Sequence, residues 1–167
     1  MGNRALRKKV GEALKAAGYS SKLYHGRKYP KKVLGAEDLR HILYMLSFKP
    51  GDIVNDCDGF NHKVTGHKIY YMRWTGNLSI LCVDRLTFED GGWSCGCPSG
   101  PEPAYTREQV EQYFHDMTPE YIEHQKHLGW WSEYSQKMYD AIKRGDHICD
   151  ENGIILPEYK IKYGSQD

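Results

Sequence analysis

The sequence predicts an α+β protein: a small antiparallel SH3-like barrel or meander, flanked by N-terminal and C-terminal helices and followed by a C-terminal hairpin. Three observations predict it. Apolar residues recur at helical spacing towards both ends, Asp-Gly or Gly-Asn pairs at 58–59, 76–77 and 90–91 divide the middle into short β-rich runs, and an Asn-Gly pair at 152–153 separates two apolar runs. Such periods and turn pairs are the main sequence signals for helices and hairpins.

The same patterns divide the chain into three segments. Residues 1–35 are predicted to form a basic helix with a linker, residues 36–97 a short helix followed by the barrel, and residues 104–167 a helical segment with the hairpin. A chain of 167 residues is long enough for one domain with a substantial core and appendages. Its 40% hydrophobic and 13% aromatic content is typical of a folded chain.

The first predicted element is an amphipathic helix over residues 3–17. Leu6, Val10 and Leu14 fall on one side of it, Asn3 is a suitable N-cap, and Gly18 is a suitable stop. The apolar stripe is thin and rich in Ala, which suits docking on a protein surface better than insertion into a membrane. The helix also lacks the serines that are typical of a mitochondrial presequence.

The middle of the chain changes from helix to strand. Residues 36–47 are predicted as a short helix that ends before Pro50. Residues 52–97 are predicted as about five short strands joined by tight turns, which suits a small barrel. Three curled strands packed on helices are the alternative. The residues expected in the core of this region are Ile53, Val54, Val64, Ile80 and Val83.

The C-terminal segment begins with a capping box at residues 106–109, which predicts a helix start. A Thr-Pro pair at 118–119 predicts a second helix, because Pro is tolerated at the first helical position. An apolar seam continues to residue 142, so this helix is predicted to run on with a kink at Gly129. Residues 147–163 are predicted as a hairpin around Asn152-Gly153.

Charge is distributed unevenly along the chain. Residues 1–34 carry a net charge of +9 and the remainder carries −8. A basic arm of this kind either binds an acidic partner, often DNA or RNA, or folds back on its own acidic body. The ten cations expected to contact nucleic acid or an acidic protein are Arg4, Arg7, Lys8, Lys9, Lys15, Lys22, Arg27, Lys28, Lys31 and Lys32.

The stretch GDIVNDCDGFNH, residues 51–62, has the residue types of a metal or catalytic site. An EF-hand is excluded, because Val54 and Thr65 stand where the first and last calcium ligands belong. Asp56, Asp58 and His62 offer an acid/base group. A type I′ hairpin turn at Asp58-Gly59 explains most of the stretch instead and leaves Asp56 and His62 unexplained.

The five cysteines are predicted to be reduced, without a disulfide, because their number is odd and their spacing is not that of a secreted framework. Ordinary thiols are favoured over zinc, since Cys95 and Cys97 are one residue apart and zinc pairs are usually two to four apart. The candidate metal ligands are Cys57, Cys95, Cys97 and His62. No cofactor is predicted, and no phosphate loop, dinucleotide fingerprint or nucleophile elbow occurs in the sequence.

Two further features concern surfaces. Trp130 and Trp131 are adjacent, so one is expected to face the core and the other to be an interface residue. No apolar run approaches the ~18 residues of a membrane span, and the N-terminus lacks the apolar region of a secretory signal. The sequence therefore predicts no membrane partner and no secretion through a signal peptide.

The segments KPGDIVNDCDGFNHKV and FEDGGWSCGC, within residues 48–97, resemble uncharacterised small proteins encoded by tailed bacteriophages. The resemblance implies a viral origin, in the virion or the host cytoplasm, and carries over no catalytic residue. Together these features predict a non-enzymatic accessory or structural interaction protein that docks on other subunits of an assembly. One alternative is a sequence-nonspecific nucleic-acid-binding module using residues 1–34. The second is a small enzyme or metal protein built on Asp56, His62 and the cysteines.

Overall fold

The structure is a computed structural model that describes residues 3–19, 35–73, 79–96 and 101–160. The elements are mixed helix and strand, which confirms the predicted α+β class. In chain order they are helix α1 (Asn3–Ala16), α2 (Ala36–Ser47), strands β1 (Ile53–Asn55), β2 (Asn61–Arg73), β3 (Ser79–Phe88) and β4 (Glu102–Pro103), helices α3 (Arg107–His115), α4 (Pro119–His127) and α5 (Glu133–Arg144), and a 3-10 helix (Pro157–Tyr159). The strand order is β3-β2-β1-β4.

The chain divides into two compact units. The first unit consists of residues 1–52 and 63–100, and the second of residues 53–62 and 101–167. The three-segment division that the sequence suggested stays a prediction. Among the described residues, no helix is both long enough and apolar enough to cross a membrane.

In the first unit, two helices pack on a two-stranded antiparallel hairpin. The apolar side of α1 is buried and packs against α2, which in turn contacts β3. Tyr19, just beyond α1, approaches His67 of β2 edge-on, and His67 donates from Nε2 to the carbonyl of Met45 at 2.9 Å. Among the side chains that the structure describes, the buried apolar residues of this unit are Leu6, Val10, Leu14, Leu39, Ile42, Met45, Leu46, Val64, Val83, Leu86 and Phe88.

The strands of the first unit are fewer and longer than predicted. Two of the five expected short strands, FNHKV at 60–64 and KIYYMRW at 68–74, fall largely within the single strand β2. Gly66 between them lies at a register shift between β2 and β3 and does not end the strand. Trp93 makes only an isolated bridge to Thr87, so the expected last strand is absent from the described residues up to 96. Val54, Val64 and Val83 are buried as expected, Ile53 is half-buried, and the side chain of Ile80 is outside the description.

The second unit is built around its helices. Strand β1 pairs with β4 in an antiparallel register that places Val54 opposite Pro103, and α3 packs against α5. The capping boxes begin α3 at Thr106 and α5 at Ser132. The core of this unit consists of Val110, Phe114, Met117, Ile122, Met138, Ala141, Ile142, Ile148 and Cys149, with Phe60 and Trp131 packed against it.

The predicted kink at Gly129 is a complete break between two helices. Gly129 has φ +74°, and the amide of Trp130 donates to the carbonyl of Gln125, which is the six-to-one bond that closes many helix ends. Ser132 then caps α5 through the amide of Ser135. The prediction of one kinked helix along the apolar seam was therefore wrong, because the local helix-end signals override the apolar periodicity.

Three loops share one conformation. In 56–60, 88–92 and 150–154, the amide of the fourth residue donates to the carbonyl of the first, and the amide of the first donates to the carbonyl of the fifth. Gly59, Gly91 and Gly153 stand fourth, with φ between +71° and +86°. This is a type I turn followed by a glycine bulge. The predicted type I′ turn was wrong, because it needs positive φ at Asp58, and no described non-glycine residue has positive φ.

In the described part of the predicted C-terminal hairpin, pairing is limited to the turn and the residues next to it. Around the 150–154 loop, Cys149 makes an isolated antiparallel bridge to Ile155, and the amide of Leu156 donates to the carbonyl of Ile148. The second arm then enters the 3-10 helix at Pro157, where a strand had been expected. Residues 161–167 of the predicted hairpin lie outside the described residues.

Candidate functional site

The 51–62 stretch forms the turn between β1 and β2. Asp58 Oδ1 accepts from the amide of Phe60 at 2.9 Å, and Asp58 Oδ2 lies 2.9 Å from His62 Nε2. The Asp58 carboxylate thus connects the backbone of the bulge to a side chain at the start of β2. This contact accounts for His62 as a residue that closes the loop, and it needs no catalytic role.

The cysteine candidates differ in chemical state. Cys57 is an exposed free thiol whose pKa is raised by burial of its sulfur and by Asp56 and Asp58. Cys95 is disulfide-bonded, so the prediction that all thiols are reduced was wrong for this residue. Cys97 lies outside the described residues. Because a metal ligand must be a thiolate, a disulfide-bonded Cys95 does not favour the zinc hypothesis.

Asn61 is the polar centre of the second unit, and nothing in the sequence pointed to it. Its side chain is fully buried. Nδ2 donates to the carbonyls of Tyr105 and Asn152 at 2.6 and 2.7 Å, and Oδ1 accepts from Nδ2 of Asn55 and the amide of Tyr105 at 3.1 Å each. All four hydrogen-bonding positions of this amide are used. It joins β2, the approach to α3 and the 150–154 loop, which is a structural role.

Glu111 was also missed, and it anchors the segment after α5. It is 5% exposed, and Oε1 accepts from the amide of Ile148 at 2.9 Å while Oε2 lies 3.0 Å from His147 Nδ1. Burial alone would raise the pKa of Glu111, but the hydrogen bonds from His147 and Ile148 outweigh it and leave the pKa below its usual value. The partners of Glu111 are at least 36 residues away, so its role was not detectable from its neighbours in sequence.

Cys149 lies against the same carboxylate, with Sγ 3.6 Å from Glu111 Oε1. Burial first, and the Glu111 charge second, raise the pKa of Cys149 to about 12. A nucleophilic thiol needs the opposite shift. The cluster of Glu111, His147 and Cys149 is therefore a structural anchor.

Among the residues whose side chains are described, exposed aromatic residues are more numerous in the second unit than in the first. Trp130 is 71% exposed in the turn between α4 and α5, whereas Trp131 packs on the core and donates from Nε1 to Gln136 at 2.9 Å. The structure thus separates the two tryptophans as the sequence predicted, one inward and one outward. Tyr113 of α3 and Tyr121 of α4 are also exposed, and their hydroxyls lie 2.8 Å apart.

Five of the ten predicted cations lie on α1, and the other five fall within residues 20–34, outside the described residues. We call Arg4, Lys8 and Lys15 the basic stripe, because all three are exposed and fall on one side of α1. Lys8 pairs with Glu12 at 3.8 Å, and Arg4 and Lys15 form no ion pair with a described residue. Cations thus point outward while the apolar side of α1 is buried in its own unit.

Carboxylates outnumber cations in the second unit. We call five of the exposed ones, one in β4 and four in the stretch of α3 and α4, the acidic face: Glu102, Glu108, Asp116, Glu120 and Glu123. Among them only Glu123 forms an ion pair with a described residue, Lys126 at 2.8 Å. Exposed Tyr105, Tyr113 and Tyr121 come from the same stretch.

The two units carry opposite charge. The first contains 16 Lys or Arg and seven Asp or Glu, a net charge of +9, and the second contains seven and 15, a net charge of −8. A whole-chain charge of +1 therefore conceals two oppositely charged bodies.

Comparison with family models, curated proteins and solved structures gives no significant match for this chain. What the protein does is therefore inferred from the surfaces and clusters above.

Proposed function

We propose that this chain is a non-enzymatic interaction protein that docks on other protein subunits within an assembly, through its basic N-terminal arm and an aromatic surface. The observation that carries the proposal is the opposite charge of the two units, +9 and −8. Complementary charged surfaces steer association and select partners. Exposed Trp130 supplies an aromatic anchor of the kind that dominates many interfaces.

The chemistry of the described side chains supports a non-enzymatic role. His62 closes a turn with Asp58, Glu111 holds a loop, and Cys149 has a pKa of about 12. Each of these groups has a structural use, and the raised pKa of Cys149 is the opposite of what a nucleophilic thiol requires.

The setting we propose is a virion, supported by the resemblance of residues 48–97 to small proteins of tailed bacteriophages. An SH3-like arrangement of residues 52–97 is part of the same proposal. The two register shifts between β2 and β3 support it, because bulges bend strands as a small barrel requires.

The test is quantitative mass spectrometry of gradient-purified particles from cells that produce the protein, with cross-linking to locate its neighbours. We expect a fixed copy number and cross-links from the α4–α5 turn to another particle protein. Trp130→Ala should reduce retention without loss of stability, because the indole is exposed. Trp131→Ala is the matched control and should lower stability by about 2–4 kcal/mol, since its ring packs on the core. Absence of the wild-type protein from purified particles would refute this function.

A second candidate is sequence-nonspecific binding of nucleic acid, favoured by the basic stripe. Removing residues 1–34 would not test it, because Leu6, Val10 and Leu14 are buried core residues of the first unit. Replacing Arg4, Lys8 and Lys15 with Gln keeps the core intact. If phosphates bind the stripe, affinity for a random duplex should fall linearly with log salt, and the variant should show a shallower slope. Equal slopes would remove this candidate.

A further inference from the structure

We propose that copies of this chain associate with each other, the basic stripe of one copy docking on the acidic face of the next. The inference rests on the proposed function and names the partner of these two surfaces as a second copy. Both surfaces are exposed, and both consist of described residues.

The cations of the basic stripe lie together on the exposed side of α1. At about 100° per residue, Arg4, Lys8 and Lys15 fall within about 40° of one another around α1. Leu6, Val10 and Leu14 occupy the opposite side, buried in the first unit. The stripe therefore points away from its own core. With a rise of about 1.5 Å per residue, it extends over roughly 16 Å.

The acidic face offers carboxylates over a comparable distance. Glu108 and Asp116 are separated by eight residues along α3 and its C-cap, which is roughly 12 Å. Glu120 and Glu123 continue the charge on α4. Tyr113 and Tyr121 stand between these helices in hydroxyl contact. Their rings suit Arg or Lys side chains, which stack on aromatic faces through cation–π contacts.

A second copy fits the charges better than nucleic acid does. A polyanion attracted to the first unit would be repelled by the −8 charge of the second unit. Association of copies uses both charges favourably. A net charge near zero also promotes association rather than opposing it. The chain has +1, so little repulsion separates the copies.

The test is a charge swap on the full chain, read by sedimentation velocity over a range of protein concentrations. The first variant is R4E/K8E/K15E and the second is D116K/E120K/E123K. Wild type should exceed the 19.3 kDa of one copy at about 10 mM salt, where the Debye length is ~30 Å, and approach it at about 1 M, where that length is ~3 Å. Each variant alone should associate about tenfold more weakly or worse. An equimolar mixture should associate again, since each reversed surface then meets an opposite one.

The matched control is K9E/R40E/K49E. It changes the net charge by the same amount, in exposed cations of the same unit that lie off the stripe. It should associate like wild type. Circular dichroism verifies folding of every variant, and R4Q/K8Q/K15Q replaces the first variant if reversal unfolds α1.

Monomeric wild type at low salt would overturn the inference, and so would a mixture of folded variants that stays monomeric. Monomeric wild type that binds a random duplex through the stripe would point to nucleic acid instead. Failure of the proposed function gives a different pattern, namely association in solution without retention in purified particles. If wild type is monomeric yet retained on another particle protein, the proposed function stands and self-association is refuted.

Discussion

Gly153 is predicted to be far less tolerant of substitution than Gly59, although the two glycines occupy the same position of the same loop type. Both have positive φ, +71° and +86°. A methyl group on Gly59 would meet nothing within 4 Å, whereas on Gly153 it would overlap Nδ2 of Asn61 and press on Val110. Gly59→Ala therefore reports the cost of the backbone conformation alone, about 1–2 kcal/mol.

The extra cost at Gly153 follows from the hydrogen bonds of Asn61. Moving its amide away from a new methyl group breaks the bonds that Nδ2 donates to the carbonyls of Tyr105 and Asn152. Each unsatisfied buried group costs about 1–3 kcal/mol. Gly153→Ala should therefore destabilise by about 2–4 kcal/mol more than Gly59→Ala.

Urea unfolding followed by circular dichroism measures both variants. In an Asn61→Ala background the overlap with Nδ2 is absent and only the milder contact with Val110 remains, so Gly153→Ala should then cost little more than the backbone term of about 1–2 kcal/mol. Equal destabilisation by Gly59→Ala and Gly153→Ala in the wild-type background would refute the reasoning. So would an undiminished effect of Gly153→Ala when Asn61 is already Ala.

Three further predictions concern individual side chains. Urea unfolding of wild type and Glu111→Gln measures the stabilising effect of Glu111, which should be complete above about pH 5 and should shrink as pH falls below about 4. The reason is that the pKa of this carboxyl is lowered in the folded state, so protonation removes its stabilising effect. A stability difference that does not depend on pH would contradict this prediction. With iodoacetamide at pH 8, peptide mass spectrometry should find Cys57 alkylated in native protein and Cys149 alkylated only after unfolding, and early modification of Cys149 would show that its pKa is not raised to about 12. Gly59→Val should destabilise by about 1 kcal/mol or more, since β-branched residues resist positive φ; an unchanged urea midpoint would count against the loop geometry.

Local signals predicted helix starts and turns well. The capping box of α3, the Pro at the start of α4 and the bounds of α2 agree with the sequence patterns. Each depends on contacts within a few residues, which a sequence displays directly. The glycine at each of the three bulge loops was visible for the same reason, although the turn type was not.

Longer-range features were not predictable from pattern alone. Two separate strands were expected before and after Gly66, but pairing with β3 continues one strand through it. The apolar pattern that continues through Gly129 predicted a single helix, because such a pattern persists across a loop when the helices on both sides cover one core. A short turn signal at Asn152-Gly153 predicted the loop, but strand pairing on both sides requires partners that the local sequence does not reveal.

The candidate site shows the same division. Outward placement of Trp130 and of the cations on α1 followed from adjacency and helical spacing. Asn61 and Glu111 were missed because the backbone partners of Asn61 are 44 and 91 residues away and the partners of Glu111 are 36 to 38 residues away. The charge contrast between units was visible only in part, since their boundaries depend on how the chain returns at residue 53.

The discontinuous second unit has a consequence for folding during synthesis. Residues 53–62 leave the ribosome long before the helices they pack with, and Asn61 bonds to Asn152, 91 residues later. At about 5–20 residues per second, that amide waits roughly 5–18 s for its last acceptor. The first unit has all its residues once position 100 has emerged. A nascent chain thus presents a positive body first, and the negative body is completed last.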